Sequence, residues 1–301
     1  MSHDAPLATG SRSIAGREVG ALAFGCWRLT DGDAGRCADL VEAAVELGLN
    51  LVDNADVYGL DWGGRGFGTC EETLGDVLRR RPGLRDRIVL ATKGGIVPGV
   101  PYVSSAAYLT EACEASLRRL GVDVIDLYQI HRPDPFTHPA EVADALMRLV
   151  DRGVVKAVGV SNYTVAQTRA LQAHLGVRLA STQPELSAIA LDSLRDGTFD
   201  LCTETGMVPL AWSPLAGGRV ATGDGVRPEL IAVLDSIASV HGVSRAVVAV
   251  AFVLAHPSAP VAIVGSQNPQ RLADLARATT LTLTRAEVYR IIEASDGRPL
   301  P

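Results

Sequence analysis

No stretch of the sequence reaches the ~20 consecutive apolar residues that a membrane-spanning helix needs. Residues 1–12 lack the apolar core of a secretory signal, so a cytoplasmic protein is expected. Cysteine is scarce: Cys26, Cys37, Cys70, Cys113 and Cys202 are scattered, odd in number and never spaced Cys-x-x-Cys. That pattern suggests neither a disulfide framework nor a zinc knuckle, and the thiols are read as reduced. The six histidines show no ligand spacing, with His131 and His138 seven apart across prolines, so no metal site is expected. An excess of basic charge is also missing. Twenty-eight Lys and Arg against thirty-four Asp and Glu give a net charge of −6, which argues against a nucleic-acid or membrane-surface partner. Among the glycine-rich stretches, Gly63-Gly-Arg-Gly-Phe-Gly68 is not G-x-G-x-x-G and follows no strand directly, and there is no G-x-x-x-x-G-K-[ST]. A Rossmann or P-loop nucleotide site is therefore not indicated.

What the chain does have is rhythm. Its 301 residues, 47% hydrophobic and 21% charged, suffice for one α/β barrel or two smaller domains. After a polar stretch at residues 1–12, expected to be a disordered tail, Ser13–Val19 reads as a hairpin that plugs or caps something. Eight short apolar or β-branched runs follow: Ala21–Phe24, Asn50–Asp53, Ile88–Lys93, Ile125–Ile130, Val155–Val160, Arg178–Gln183, Val208–Trp212 and Val261–Val264. Amphipathic segments separate them: Gly35–Leu47, Cys70–Arg80, Ser104–Leu120, Pro139–Asp151, Val165–Leu175, Leu191–Thr205, a tandem pair at Pro228–His241 and Ser244–Ala255, and Pro269–Ala278. Glycine after a last turn, as at Leu47-Gly48 and Leu120-Gly121, marks helix ends. Eight β/α units without a linker-like break predict a single (β/α)8 TIM barrel over residues 13–301, with a C-terminal extra helix at Thr284–Ser295. The loops at 60–69 and 216–225 are glycine-rich and read as candidate lids.

In such a barrel, chemistry gathers at the carboxyl ends of the strands. Taken alone, Asp53, Asp56 and Tyr58 fit a surface loop whose tyrosine covers the core equally well. The neighbouring strand ends decide between the readings. Lys93 closes the apolar run Ile-Val-Leu-Ala-Thr-Lys, where a buried ammonium needs a paired charge, and Asp53 on the next strand supplies it. An ammonium beside a phenol favours the phenolate and is expected to bring the Tyr58 proton toward neutral-pH chemistry, making Tyr58 a general acid. His131, at the fourth strand exit, is placed to share a carbonyl oxygen with Tyr58, and an oxygen clamped by two donors is ready for hydride.

The sequence resembles the aldo-keto reductases, most closely the bacterial NADPH-dependent ones. The motifs carrying the resemblance are Asp53-Asn-Ala-Asp-Val-Tyr-Gly59, Ala91-Thr-Lys-Gly94, Ile130-His-Arg-Pro133, Gly159-Val-Ser-Asn162, Gln183, Ser213-Pro-Leu215 and Ile263-Val-Gly-Ser266, in order along nearly the whole chain. The resemblance implies a catalytic tetrad of Asp53, Tyr58, Lys93 and His131, and reduction of aldehydes or ketones with NADPH. It implies that Ser161, Asn162 and Gln183 hold the nicotinamide carboxamide and that Trp212, where the family usually has tyrosine, stacks on its face. By the same resemblance Gly25 and Trp27 would border the cofactor, and Ser213, Leu215 and Gly217 would run beside the pyrophosphate. The resemblance further implies that Gly265, Ser266 and Arg271 take the adenosine 2′-phosphate and Asp274 the adenine, although Leu275 stands where many members carry asparagine and Gly265 where some carry lysine. Trp27, Trp62, Phe67, Tyr102 and Phe136 are expected pocket walls, and with no long C-terminal loop an open mouth is expected. The partner is then a small carbonyl or alcohol substrate, and the protein a monomer or weak homo-oligomer. Two other activities fit parts of the pattern: a non-catalytic, cofactor-loaded subunit of the potassium-channel β type, and a lyase forming a Schiff base on Lys93.

Overall fold

Side chains alternate across a strand, so eight short strands closed into a ring sort their residues into an inner and an outer core. In the computed structural model, which describes residues 12–301, that ring is complete. The expected tail falls almost wholly on residues 1–11, outside the described ones, while Arg12 is anchored by Nε donating to the Pro260 carbonyl at 2.8 Å. An antiparallel hairpin, β1 (Ser13–Ile14) and β2 (Arg17–Glu18), precedes the barrel. The barrel strands are β3 (Leu22–Gly25), β4 (Leu51–Asp53), β5 (Val89–Gly94), β6 (Ile125–Ile130), β7 (Val155–Ser161), β8 (Ser181–Gln183), β9 (Val208–Ala211) and β10 (Val261–Val264). All neighbours are parallel, and β3 pairs with both β4 and β10, closing the (β/α)8 ring.

Ala23, Leu51, Val89, Leu127, Leu210 and Val261 point inward and form the inner core, and Ile14 and Val19 of the hairpin pack against it from the amino ends of the strands. The hairpin is thus the expected plug. One step further along the same inward registers, the apolar layer gives way to Asp53, Lys93, Gln129 and Gln183, all buried. Phe24, Val52, Leu90, Tyr128 and Val158 point outward into the larger core under the helices.

Those helices are α1 (Ala34–Glu46), α2 (Thr69–Arg80), a short α3 (Leu84–Arg87), α4 (Ala106–Leu120), α5 (Pro139–Asp151), α6 (Val165–Gln172), α7 (Thr198–Thr205), a short α8 (Arg219–Thr222), α9 (Pro228–His241), α10 (Arg245–Leu254), α11 (Pro269–Ala276) and α12 (Arg285–Asp296). Each amphipathic face follows from spacing: α5 buries Val142, Leu146 and Leu149, one turn apart.

Three segments depart from the sequence reading. The run Arg178–Gln183 contributes only Ser181–Gln183 to the sheet, because the Gln172 side chain brackets its beginning, donating to Val177 O and accepting from Leu179 N. Leu191–Thr205 is a 3-10 turn at Asp192–Leu194 followed by α7, interrupted where Gly197 adopts φ +86° and Asp196 Oδ1 accepts from Thr198 N. The 216–225 stretch is not a loose loop; it folds into a 3-10 turn and α8. At the amino pole, the buried Asp126 carboxylate accepts from Lys156 Nζ (2.8 Å) and Leu90 N (2.9 Å) and pairs with Arg85 (2.7 Å).

Candidate active site

Strand β4 delivers Asp53 into the upper barrel, and β5, its neighbour, delivers Lys93 alongside. Lys93 is fully buried, and its ammonium donates to Asp53 Oδ2 at 2.8 Å, the Asn54 carbonyl at 2.8 Å and Tyr58 Oη at 3.1 Å. Three acceptors match the three N–H bonds of an ammonium. Burial acts to lower the Lys93 pKa, but Asp53 and then Tyr58 outweigh it, and the group ends above its ordinary value. It is a fixed cation. The other Asp53 oxygen accepts from Gln183 Nε2 at 2.9 Å, which holds the carboxylate from across the barrel.

Tyr58 feels both effects in opposition: burial raises its pKa, and the Lys93 charge lowers it. Desolvation wins, so the phenol lies above its ordinary value. This corrects the expectation that the ammonium alone draws the proton toward neutrality. Lys93 instead offsets part of the burial, and the phenol stays protonated at neutral pH, the state a proton donor needs.

His131 packs edge-on to Tyr58, with ring centroids 5.7 Å apart and planes at 80°. Burial first, then the charges of Lys93 and Arg132, hold the imidazole well below its usual range, so it is neutral. Its Nδ1 is buried without a partner among the described residues.

A cavity of about 1100 Å³ opens over this cluster and extends toward the amino ends of α10 and α11. On one side Ser161 Oγ donates to the Gln183 carbonyl at 3.0 Å, Asn162 Nδ2 donates to Ser161 Oγ and the His131 carbonyl, and Trp212 Nε1 donates to Asn162 Oδ1 at 3.0 Å. Asn162, Ser213 and Ala216 hold positive φ without being glycine, a strain that this network and the following turn maintain. Gly25 and Gly265 face each other; a Cβ on Gly25 would lie 2.8 Å from Ile263 Cγ2, so the rim closes tightly only with glycine there.

The structure gathers around one cavity Asp53, Tyr58 and His131 with Gly25, Trp27, Ser161, Asn162, Gln183, Trp212, Ser213, Leu215, Gly217, Gly265, Ser266, Arg271 and Asp274. Asp274 is engaged by Ser244 Oγ (2.6 Å) and Arg277 (3.4 Å), and the first amides of α11, Gln270 N and Arg271 N, are taken by the Asn268 side chain. The Arg271 guanidinium has no partner among the described residues and is exposed.

The expected walls fare differently. Trp27 lines the cavity, with Trp62 behind it at 5.1 Å. Phe67 packs under Arg119, Tyr102 bridges to Ile96 in the loop after β5, and Phe136 is 97% exposed. None of Trp62, Phe67, Tyr102 and Phe136 lines the cavity. Sequence reasoning missed Arg28, Asp61, Arg132, Glu185, Arg219 and Arg245, which do. Arg132 was legible, one residue past His131 at the same strand exit. Arg245 was not, since only the folded tandem of α9 and α10 brings it there.

A parallel eight-stranded barrel whose rim joins Asp, Lys, Tyr and His places the chain in a known class. It belongs to the aldo/keto reductase family, whose model matches residues 21–296. Among its relatives, 6-dehydroglucose reductase of Novosphingobium aromaticivorans is 46% identical, spanning 99% of each chain. The 6-dehydroglucose reductase of Agrobacterium fabrum is 35% identical, over 93% of this chain and 96% of that one. An aldo-keto reductase of Klebsiella pneumoniae, solved in complex with NADPH, superposes with a TM-score of 0.80 at 25% identity, covering 98% of this chain and 97% of that one.

Proposed function

We propose that the protein reduces an aldehyde at the end of a polyhydroxylated carbon chain to the alcohol, using NADPH. The observation that carries this reading is the Lys93 ammonium shared between Asp53 and Tyr58, with His131 against the same phenol. The substrate oxygen is held between Tyr58 Oη and the neutral His131, and Tyr58 gives it the proton. Lys93, its charge fixed by Asp53, stabilises the tyrosinate left behind. Asp53 is in turn kept in place by Gln183.

The cavity suits the cofactor. Ser161, Asn162 and Gln183 border its inner end and would hold the carboxamide; Trp212 offers an aromatic face; Arg271 and Ser266 offer a guanidinium and a hydroxyl for the 2′-phosphate at the outer end. When bound, NADPH supplies the hydride. The names of two relatives support the sugar aldehyde, and so does the polar lining of the cavity, where the Trp27 indole donates to Asp61 at 3.4 Å and Arg132 and Glu185 also border the space, groups that suit a hydroxylated chain. A Schiff base on Lys93 is disfavoured because a saturated, charged ammonium has no lone pair to attack with. The test is NADPH consumption over a carbonyl panel that includes 6-aldehydo sugars, simple aldehydes and ketones. Turnover that is fastest on the sugar aldehydes is expected; no NADPH-dependent reduction of any carbonyl would overturn the reading.

A further inference from the structure

Beside the site lies a buried acid that, unlike Glu71 and Asp126, has no ion-pair partner among the described residues. Asp56 lies in the segment between Asp53 and Tyr58 and has no accessible surface; neither carboxyl oxygen makes a well-formed hydrogen bond among the described residues, with the Tyr108 hydroxyl and the Val57 amide as the donors within reach. Buried polar atoms without partners are rare, and an isolated buried carboxylate costs several kcal/mol. Lys93 points into the barrel, whereas Asp56 reaches the outer face of β5. There a Cβ added to Gly94 would lie 2.2 Å from Tyr128 Oη and 3.4 Å from Asp56 Oδ2. Tyr128 Oη is itself buried and unpartnered among the described residues, so the acid and the phenol both approach Gly94, where a Cβ has no room.

The charged and titratable groups facing Asp56 are Glu71 of α2, Arg119 and Tyr108 of α4, Tyr128 of β6 and Lys93 of β5. The one outer cation, Arg119, is already spent on Glu71, at 2.6 Å, and Thr92 Oγ1 donates to the same carboxylate at 2.5 Å. No cation is left for a charged Asp56. Burial, then the charge of Glu71, push its pKa well above the carboxylate range.

All three acceptors of the Lys93 ammonium, Asp53, Asn54 O and Tyr58, belong to the segment 53–58. Asp56 staples that segment to the sheet: its N–H donates to Lys93 O at 3.0 Å, and its carbonyl accepts from Gly68 N at 2.7 Å. We propose that Asp56 is a positioning residue, held as the neutral carboxylic acid beside the Tyr108 and Tyr128 phenols, that fixes segment 53–58 and so keeps the Lys93 ammonium against Tyr58. This rests on the roles given above to Lys93 and Tyr58.

The test has one arm without turnover and one with it. Infrared spectra of the full-length protein at neutral pH are expected to show the C=O stretch of a protonated carboxylic acid that Asp56→Asn removes. A group whose folded pKa is raised loses its contribution to stability as pH rises from the unfolded value, about 3.9, through the folded one. Asp56→Asn, which does not titrate, is therefore expected to gain melting temperature over the native protein progressively from acid to neutral pH. In kinetics, Asp56→Leu is expected to lower kcat by ~10-fold or more, with NADPH Kd unchanged, and Asp56→Asn to restore most of it. A missing infrared band together with a pH-independent stability difference overturns the neutral acid. Native kcat in a folded Asp56→Leu overturns the positioning. If native protein reduces no carbonyl, the proposed function fails, while the infrared and stability arms still decide the state of Asp56.

Discussion

Tyr58 is a phenol held protonated by burial and steadied by a neighbouring ammonium, and these opposing influences set its pH behaviour. Because the Tyr58 pKa is raised and that of His131 lowered, neither group titrates between their ordinary values, about 10 and 6.5. The kcat/KM for reduction is therefore expected to be level across that window; an acid limb near pH 6.5 would show that His131 ionises in the working enzyme. Lys93→Met removes the charge that offsets the burial of Tyr58. Turnover is expected to fall ~10²-fold or more with NADPH affinity retained, measured by steady-state rates and cofactor titration. Trp212 is fixed by its bond to Asn162, and if its ring takes the nicotinamide, added NADP quenches its fluorescence. Trp212→Ala should remove most of that quench; a quench that survives there but vanishes in Trp27→Ala would place the ring elsewhere.

Among the elements, those with unambiguous punctuation were legible in the sequence. Pro139 and Pro228 at first helical turns fixed the starts of α5 and α9, and β6 and β10 match their apolar runs to the residue. The site was legible for the same reason: a polar side chain ending an apolar run, as at Asp53 and Lys93, is visible without coordinates. What escaped depends on side chains acting at a distance. Gln172 closing off the start of the β8 run, or Asp196 starting α7 after Gly197, leaves no periodic trace. The walls failed likewise, because Phe67 and Phe136 sit on loops whose direction only the fold decides. At α11 the Asn268 side chain already occupies two terminal amides, so in the proposed reading selectivity for the 2′-phosphate would fall to Arg271 and Ser266 more than to the helix end. Charge-assisted bonds of ~1.5–3 kcal/mol correspond to roughly 10–150-fold. Arg271→Ala is expected to weaken NADPH by about that factor and leave NADH nearly unchanged; equal native Kd values for both cofactors at low salt would show that this helix does not read the phosphate.

Across the whole molecule the two poles of the barrel divide the work. The amino pole carries the hairpin plug and the Asp126 cluster; the carboxyl pole carries the Asp53, Lys93, Tyr58 and His131 side chains and the cavity. Burial acts to raise the Asp126 pKa, but Lys156, the Leu90 amide and Arg85 outweigh it, leaving it below the ordinary value. Its stabilisation is therefore present above the unfolded value and lost as pH falls through the folded one. Asp126→Ala is expected to cost about 3 kcal/mol, the lower end for a broken buried pair because both cations keep contact with water, with kcat unchanged. A loss of turnover in a folded Asp126→Ala would deny the separation of the poles.

The central claim is that Tyr58 supplies the proton to the substrate oxygen, and one variant addresses it. In Tyr58→Phe the ring and its packing against His131 remain while the hydroxyl bonded to Lys93 is gone. Carbonyl reduction is expected to fall ~10²–10⁴-fold while NADPH binds with nearly native Kd. Near-native turnover by the purified variant, on any carbonyl the native protein reduces, would contradict it.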